Sequence, residues 1–167
     1  MPFEFGKVLG SGNHMGQVGG HTDLFSSALT LSTAPYTAGD LLGTLLTCAA
    51  ARVAGQGLVI LHVSATDLGL QDKPLDVVFF DSNPSATTFT DNSALDVADA
   101  DLPKVVGFVN LGTANYADFA DNSIATKPSV DLGANPASGT LWYCAVTRGT
   151  PTYGTADLTL RVSVQQD

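Results

Sequence analysis

The sequence is poor in the residues that most often carry chemistry or crosslinks. Its 167 residues include two cysteines, three histidines and one tryptophan. Cys48 and Cys144 form no CxxC pair, and two thiols do not make a disulfide scaffold, so a zinc site of that type and a disulfide-rich secreted fold are excluded. Each thiol lies in an apolar run, which predicts two buried free cysteines. The sequence leaves a bond between them open.

Charge is scarce as well, and positive charge most of all. Charged residues make up 14% of the chain, and 7 Lys and Arg against 16 Asp and Glu give a net charge of −9. Because the basic residues are scattered rather than clustered, we expect no nucleic-acid partner. No run approaches the ~18 apolar residues of a membrane span, and the first residues do not resemble a secretory signal. We therefore expect no membrane partner and synthesis in a cytoplasm.

Short apolar runs separated by turn residues predict a β protein. Leu158, Leu160, Val162 and Val164 alternate with polar residues, the period of a half-buried strand. The runs Leu75–Phe80, Val105–Leu111 and 141–146 are apolar on both faces, as central or interface strands are. About eight such segments joined by turn-rich loops predict an all-β, single-domain β-sandwich resembling a jelly roll. The acidic residues also argue against a helical protein, because Glu4 is the only glutamate and the aspartates favour turns.

The pattern also predicts where the domain begins and how some segments fold. Residues 1–24 are rich in glycine and lack a sustained period, which predicts an extended N-terminal arm before a domain at 25–167. The first strand is expected at 28–32. One short helix is expected at 94–101 with Ser93 as its cap, and a hairpin loop at 148–157 between the last two strands.

No constellation of catalytic residues is recognisable. His14 and His21 lie in the arm, His62 lies on a predicted strand, and neither a GxSxG nor an HExxH motif occurs. We therefore predict no enzyme, no catalytic residue, no metal site and no cofactor. The acidic cluster between Asp91 and Asp101 lacks a regular calcium-loop motif, and the sequence leaves calcium binding there open.

Low charge combined with strands that are apolar on both faces favours self-association over a monomer with a larger core. Three aromatic residues on these strands are the predicted oligomer interface: Phe79, Phe108 and Trp142.

Three stretches resemble a family of small structural proteins from tailed bacteriophages. They are PLDVVFFDSNPSATTFTDNSALDVADADLPKVVGFVNL, YADFADNSIATKP and LWYCAVTRGTPTYGTADLTLRVSVQQD, within residues 36–167. The resemblance implies a place in the virion. Small β-sandwich head proteins of this kind often act as trimeric decoration or cement proteins where capsomers meet. The implied function is that of a capsid decoration protein on the outer surface of the mature head, with the major capsid protein and its own copies, as a homotrimer, as partners.

The arm and the charge fit that placement. Packed DNA gives the inner shell a negative potential, so a chain of charge −9 is better accommodated on the capsid exterior. An arm gains main-chain hydrogen bonds only on docking, and five of its residues are expected to contact the shell: Phe3, Phe5, Val8, His14 and His21. Two other hypotheses stay open. One is a tail, baseplate or fibre-associated protein, with carbohydrate binding left open, and the other is a lytic or depolymerising enzyme.

Overall fold

A computed structural model describes residues 21–52 and 54–166 of the chain. The regular structure in these residues is almost entirely β. Two short 3-10 helices occur at Leu102–Lys104 and Thr113–Asn115. No helix among the described residues has the length and apolar character needed to cross a membrane. The strands are β1 His21–Ala28, β2 Leu41–Cys48, β3 Leu58–Asp67, β4 Leu75–Phe80, β5 Val105–Leu111, β6 Tyr116–Asp118, β7 Ser123–Ala134, β8 Leu141–Thr147 and β9 Leu158–Gln166.

The strands form two sheets that pack face to face. One sheet has the order β1-β9-β3-β7-β6 and the other β2-β8-β4-β5, and all neighbouring pairs are antiparallel. Because successive strands mostly alternate between the sheets, the order is that of an eight-stranded jelly roll with β6 added at one edge. The predicted all-β sandwich is confirmed.

The core lies between the sheets and follows the period-2 pattern of the sequence. In β9, Leu158, Leu160, Val162 and Val164 are fully buried, and the residues between them face outward. β3 pairs with β9 on both sides of a bulge between Ile60 and His62, and Ile60, Val63 and Ala65 join the same layer. From the other sheet Val77, Phe79 and Tyr143 close the core.

The domain begins earlier than predicted. β1 starts at His21 and pairs with β9 along its whole length, from His21 opposite Gln166 to Ala28 opposite Thr159. Residues 21–24 therefore belong to the sheet, and the segment 28–32 only follows the first strand. The boundary was misplaced because β1 is an edge strand with few apolar residues, so it lacks a strong apolar period. The remainder of the predicted arm, residues 1–20, lies outside the described residues.

Two local predictions are wrong. Residues 94–101 form no helix: Ala94 makes a β-bridge with Asp40, and only a 3-10 turn follows at Leu102–Lys104. Leu95 and Val97, two residues apart, both pack on the four-stranded sheet, which suits an extended backbone. The segment 148–157 is not a hairpin loop, because β8 and β9 belong to different sheets and the loop crosses between them.

Candidate functional site

The outer face of the four-stranded sheet is covered by the chain itself. The β4–β5 connection, residues 81–104, crosses this face and closes a second apolar cluster. The Phe89 ring meets Phe80 edge to face, with ring centroids 6.1 Å apart. At its far end the connection runs beside β2, where the amide of Leu41 donates to the Ser93 carbonyl at 2.9 Å. Strands β4 and β8 are thus apolar on both faces because they lie between two clusters of one molecule.

The three predicted interface residues lie in different environments. Phe79 points into the core, is 0% exposed and stacks on Tyr143 at a centroid distance of 5.8 Å. Its side chain does not reach the molecular surface, so the prediction that Phe79 lies at an oligomer interface is wrong. Trp142 is half-buried and packs against the second cluster. Phe108, on the outer face of edge strand β5, is 64% exposed and alone offers a large apolar surface.

The two cysteines lie on opposite sides of one sheet. Cys48 belongs to the core between the sheets, whereas Cys144 belongs to the second cluster, and both are free and buried. Burial raises the pKa of each thiol to about 12. The expectation of two buried free thiols is confirmed, and both remain protonated at neutral pH.

Asp91 and Asp101 of the predicted acidic cluster serve separate structural roles. The Asp91 carboxylate accepts from the amides of Ser32 and Gly43, at 2.7 and 2.6 Å, and from the Tyr36 hydroxyl at 2.8 Å. It therefore joins three segments of the chain. Burial with this hydrogen bond to Asp91 raises the pKa of Tyr36 above its usual range.

Asp101 is fully buried, and its hydrogen bonds hold the start and the end of the β4–β5 connection together. It accepts from the amides of Ala86 and Thr87, from the Thr87 hydroxyl, and from Lys104 Nζ at 2.7 Å. Burial opposes ionisation, but the bonds from Lys104 and Thr87 outweigh it and lower the pKa of Asp101. Among the described residues, no three His, Cys, Asp or Glu side chains are grouped as a metal site requires.

The histidines are not grouped either. His21 lies at the start of β1, where its Nε2 is 2.8 Å from Asp23 Oδ1 and the ring is half exposed. His62 lies on β3, and His14 is outside the described residues. In the described part of the chain, no hydrogen bond joins either ring to a serine or cysteine.

The outer face of the five-stranded sheet has an unusual composition for so acidic a chain. The register fixes which residues face outward from β1, β9, β3 and the first half of β7, and none of them carries a carboxylate. Arg161 is the only full charge, with His62 beside it. We call this surface the carboxylate-free face; its residues are Thr22, Leu24, Ser26, Ala28, Val59, His62, Ser64, Thr66, Ile124, Thr126, Pro128, Thr159, Arg161, Ser163 and Gln165.

A groove lies on the opposite side of the molecule, within the β4–β5 connection. It has a volume of about 370 Å³, and Leu41 and Leu95 are among the residues that line it. Thr88, Thr90 and Ser93 supply hydroxyl groups along its walls, and Asp96 supplies a carboxylate. The groove can hold a small polar molecule by hydrogen bonds.

Sequence reasoning missed the carboxylate-free face. The alternation in β9 already shows Thr159, Arg161, Ser163 and Gln165 on one side, but the extent of the face depends on which strands are neighbours. β1 and β3 are far apart in sequence and flank β9 in the sheet.

No protein-family model matches the chain, and a search of curated proteins found none that is significantly similar.

Proposed function

We propose that this protein is a bacteriophage capsid decoration protein that binds the outer surface of the mature head through the carboxylate-free face. The observation that carries the proposal is the absence of carboxylates from one broad sheet face in a chain of net charge −9. The jelly roll supports it by analogy of fold, since viral capsid and lectin domains share this architecture.

The charge distribution suits docking on a large protein surface. Removing a carboxylate from water without a partner is costly, whereas hydroxyl and amide groups exchange hydrogen bonds with a partner at little cost. A face of Thr, Ser and Gln side chains therefore meets another protein without that penalty. The exposed acids elsewhere on the molecule, such as Asp96, Asp99 and Asp121, stay hydrated and keep the decorated particle soluble.

Residues 1–20 are proposed to assist this docking. They join β1 at His21, on the edge of the same sheet. In the proposal, Phe3, Phe5, Val8 and His14 lie along the shell, and the arm adds main-chain hydrogen bonds there. Binding to the mature lattice in preference to the immature one stabilises the mature lattice by mass action.

The test is co-sedimentation of the purified protein with mature heads that lack it, beside immature heads. Wild type is expected to bind mature heads selectively. Arg161→Glu, at the centre of the carboxylate-free face, is expected to weaken binding at least about tenfold, a change of ~1.4 kcal/mol. The matched control is Lys127→Glu, which makes the same charge change on an exposed residue that lines a different groove, beside Phe108.

Deleting residues 1–20 is expected to weaken binding while the melting temperature stays close to that of wild type, since the deletion leaves β1 intact. Equal binding of wild type and Arg161→Glu, or binding to neither kind of head, contradicts the proposal.

A second candidate is a tail or fibre-associated protein that binds carbohydrate. The groove lined by Thr88, Thr90, Ser93 and Asp96 favours it, because hydroxyl and carboxylate groups are suitable partners for sugar hydroxyls. Placement at the tail, with Asp96→Ala abolishing binding to the host surface polysaccharide, would select this candidate.

A further inference from the structure

The free edge of β1 is the most exposed strand edge in the described part of the molecule. β1 has eight residues, and its only backbone partner among the described residues is β9. An edge of this length offers a row of unpaired N–H and C=O groups to another strand. Natural proteins usually protect such edges with charged residues, above all lysine, with proline or with a bulge. HTDLFSSA has no lysine, proline or bulge, and Asp23 is its one acid.

The other three edge strands are short or protected. β6 has only three residues. β2 is bulged between Leu42 and Leu46, and its first residue exchanges hydrogen bonds with Asn92 and Ser93 of the β4–β5 connection. β5 lies against β7, so closely that a Cβ at Gly107 would be 3.0 Å from Leu132. The comparison singles out β1 as the edge open to pairing.

The register determines which groups the free edge presents. Leu29, which continues the β1 register, donates to the Leu158 carbonyl at 2.9 Å, so odd-numbered residues bond to β9. The backbone groups of Thr22, Leu24, Ser26 and Ala28 therefore point away from the sheet. The side chains of the same residues belong to the carboxylate-free face, and Leu24, near the middle of the strand, is 60% exposed.

We propose that β1 pairs with β1 of a second copy, antiparallel, about a two-fold axis at Leu24. In this register Thr22 exchanges backbone hydrogen bonds with Ser26 of the second copy, and Leu24 with its own symmetry mate. The two exposed Leu24 side chains then cover each other. Asp23 lies opposite Phe25, so no like charges face each other across the pair.

The scarcity of carboxylates at the β1 edge argues for a second copy of this acidic chain as the occupant. Two molecules of net charge −9 repel each other, and they approach most easily where no outward-facing carboxylate lies at the contact. The β1 edge borders the carboxylate-free face, and Asp23, the one acid of β1, contacts His21 and accepts a hydrogen bond from Gln166 of β9. Pairing there also joins the two five-stranded sheets into one, with a single carboxylate-free face.

Sedimentation equilibrium of the purified full-length protein tests the inference without any shell. We expect a dimer. Leu24→Lys places two ammonium groups at the two-fold axis and is expected to raise the dimer dissociation constant at least about tenfold. The matched control is Phe108→Lys, because Phe108 is equally exposed but lies on the other sheet; it should dimerise like wild type.

Two further variants test the register. Ser26→Pro removes an N–H that points to the free edge and not to β9, so the fold should persist while the dimer is lost. Leu24→Cys is expected to give a disulfide-linked dimer on oxidation, whereas Phe108→Cys is not, and the native thiols are buried and do not compete.

A monomer at all concentrations, a dimer unaffected by Leu24→Lys, or the trimer implied by the family resemblance would each overturn the inference. Because these outcomes are read from the purified protein, they are independent of whether it binds a capsid.

Discussion

At the scale of the residue, Phe79 and Phe108 show the difference between a core position and a surface position. Phe79 and Phe108 both lie on apolar strands of the same sheet, and both were expected at an oligomer interface. Phe79 is 0% exposed in the core, and Phe108 is 64% exposed at the edge strand. Sequence reasoning could not distinguish them, because a strand with apolar residues on both sides does not show which alternate residues face the core.

Phe79→Ala should lower the free energy of unfolding by about 3–5 kcal/mol, because it leaves a cavity beside Tyr143 in the closed core. Phe108→Ala serves as the control and should change it by less than about 0.5 kcal/mol, since the removed ring is largely in water. Urea denaturation of both variants measures the difference. Similar losses for the two would show that the inner face of β4 is misassigned.

At the scale of the element, the β4–β5 connection determines much of the molecule. It covers one sheet, extends the edge of β2 and forms the groove. The predicted helix at 94–101 was wrong because backbone amides of this segment bond to groups outside it. Leu95 donates to the Gly39 carbonyl, and Ala98 donates to the Thr87 hydroxyl. A local pattern cannot reveal partners so distant in sequence. The alternation in β9, by contrast, is strictly local and was predicted correctly.

Asp91→Ala should destabilise the fold by about 2–4 kcal/mol, because it leaves the buried Tyr36 hydroxyl and the buried Gly43 amide without their acceptor. Asp96→Ala is the matched control: Asp96 is an exposed acid of the same connection, and its removal should cost less than about 0.5 kcal/mol. Thermal and urea unfolding of the two variants provide the comparison. If the two variants were equally stable, Asp91 would not be the residue that joins the three segments.

At the scale of the whole molecule, the jelly roll separates two kinds of surface. The four-stranded sheet is covered by its own chain, whereas the five-stranded sheet presents the carboxylate-free face and the free edge of β1. The sequence was sufficient to predict the sandwich, since turn-separated apolar runs occur throughout the chain. It was not sufficient to predict the carboxylate-free face, because that face combines β1, β9 and β3 from distant parts of the sequence.

The proposed docking face and the proposed β1 pairing describe one assembly. A pair of copies joined at Leu24 presents a surface twice as broad to the shell, with two arms that bind at high effective concentration once the first has docked. In this proposal residues 1–20, which precede β1 in the chain, and the carboxylate-free face contribute to the same docking.

The central claim is that the five-stranded sheet rests on the outer surface of the capsid. Cryo-electron microscopy of the virion, with this protein labelled at its C-terminus, tests it most directly. The predicted result is labelled density on the exterior of the head at contacts between capsomers, with β1, β9 and β3 facing the shell and the β4–β5 connection facing solvent. Density at the tail, inside the shell, or with the four-stranded sheet against the capsid would contradict it.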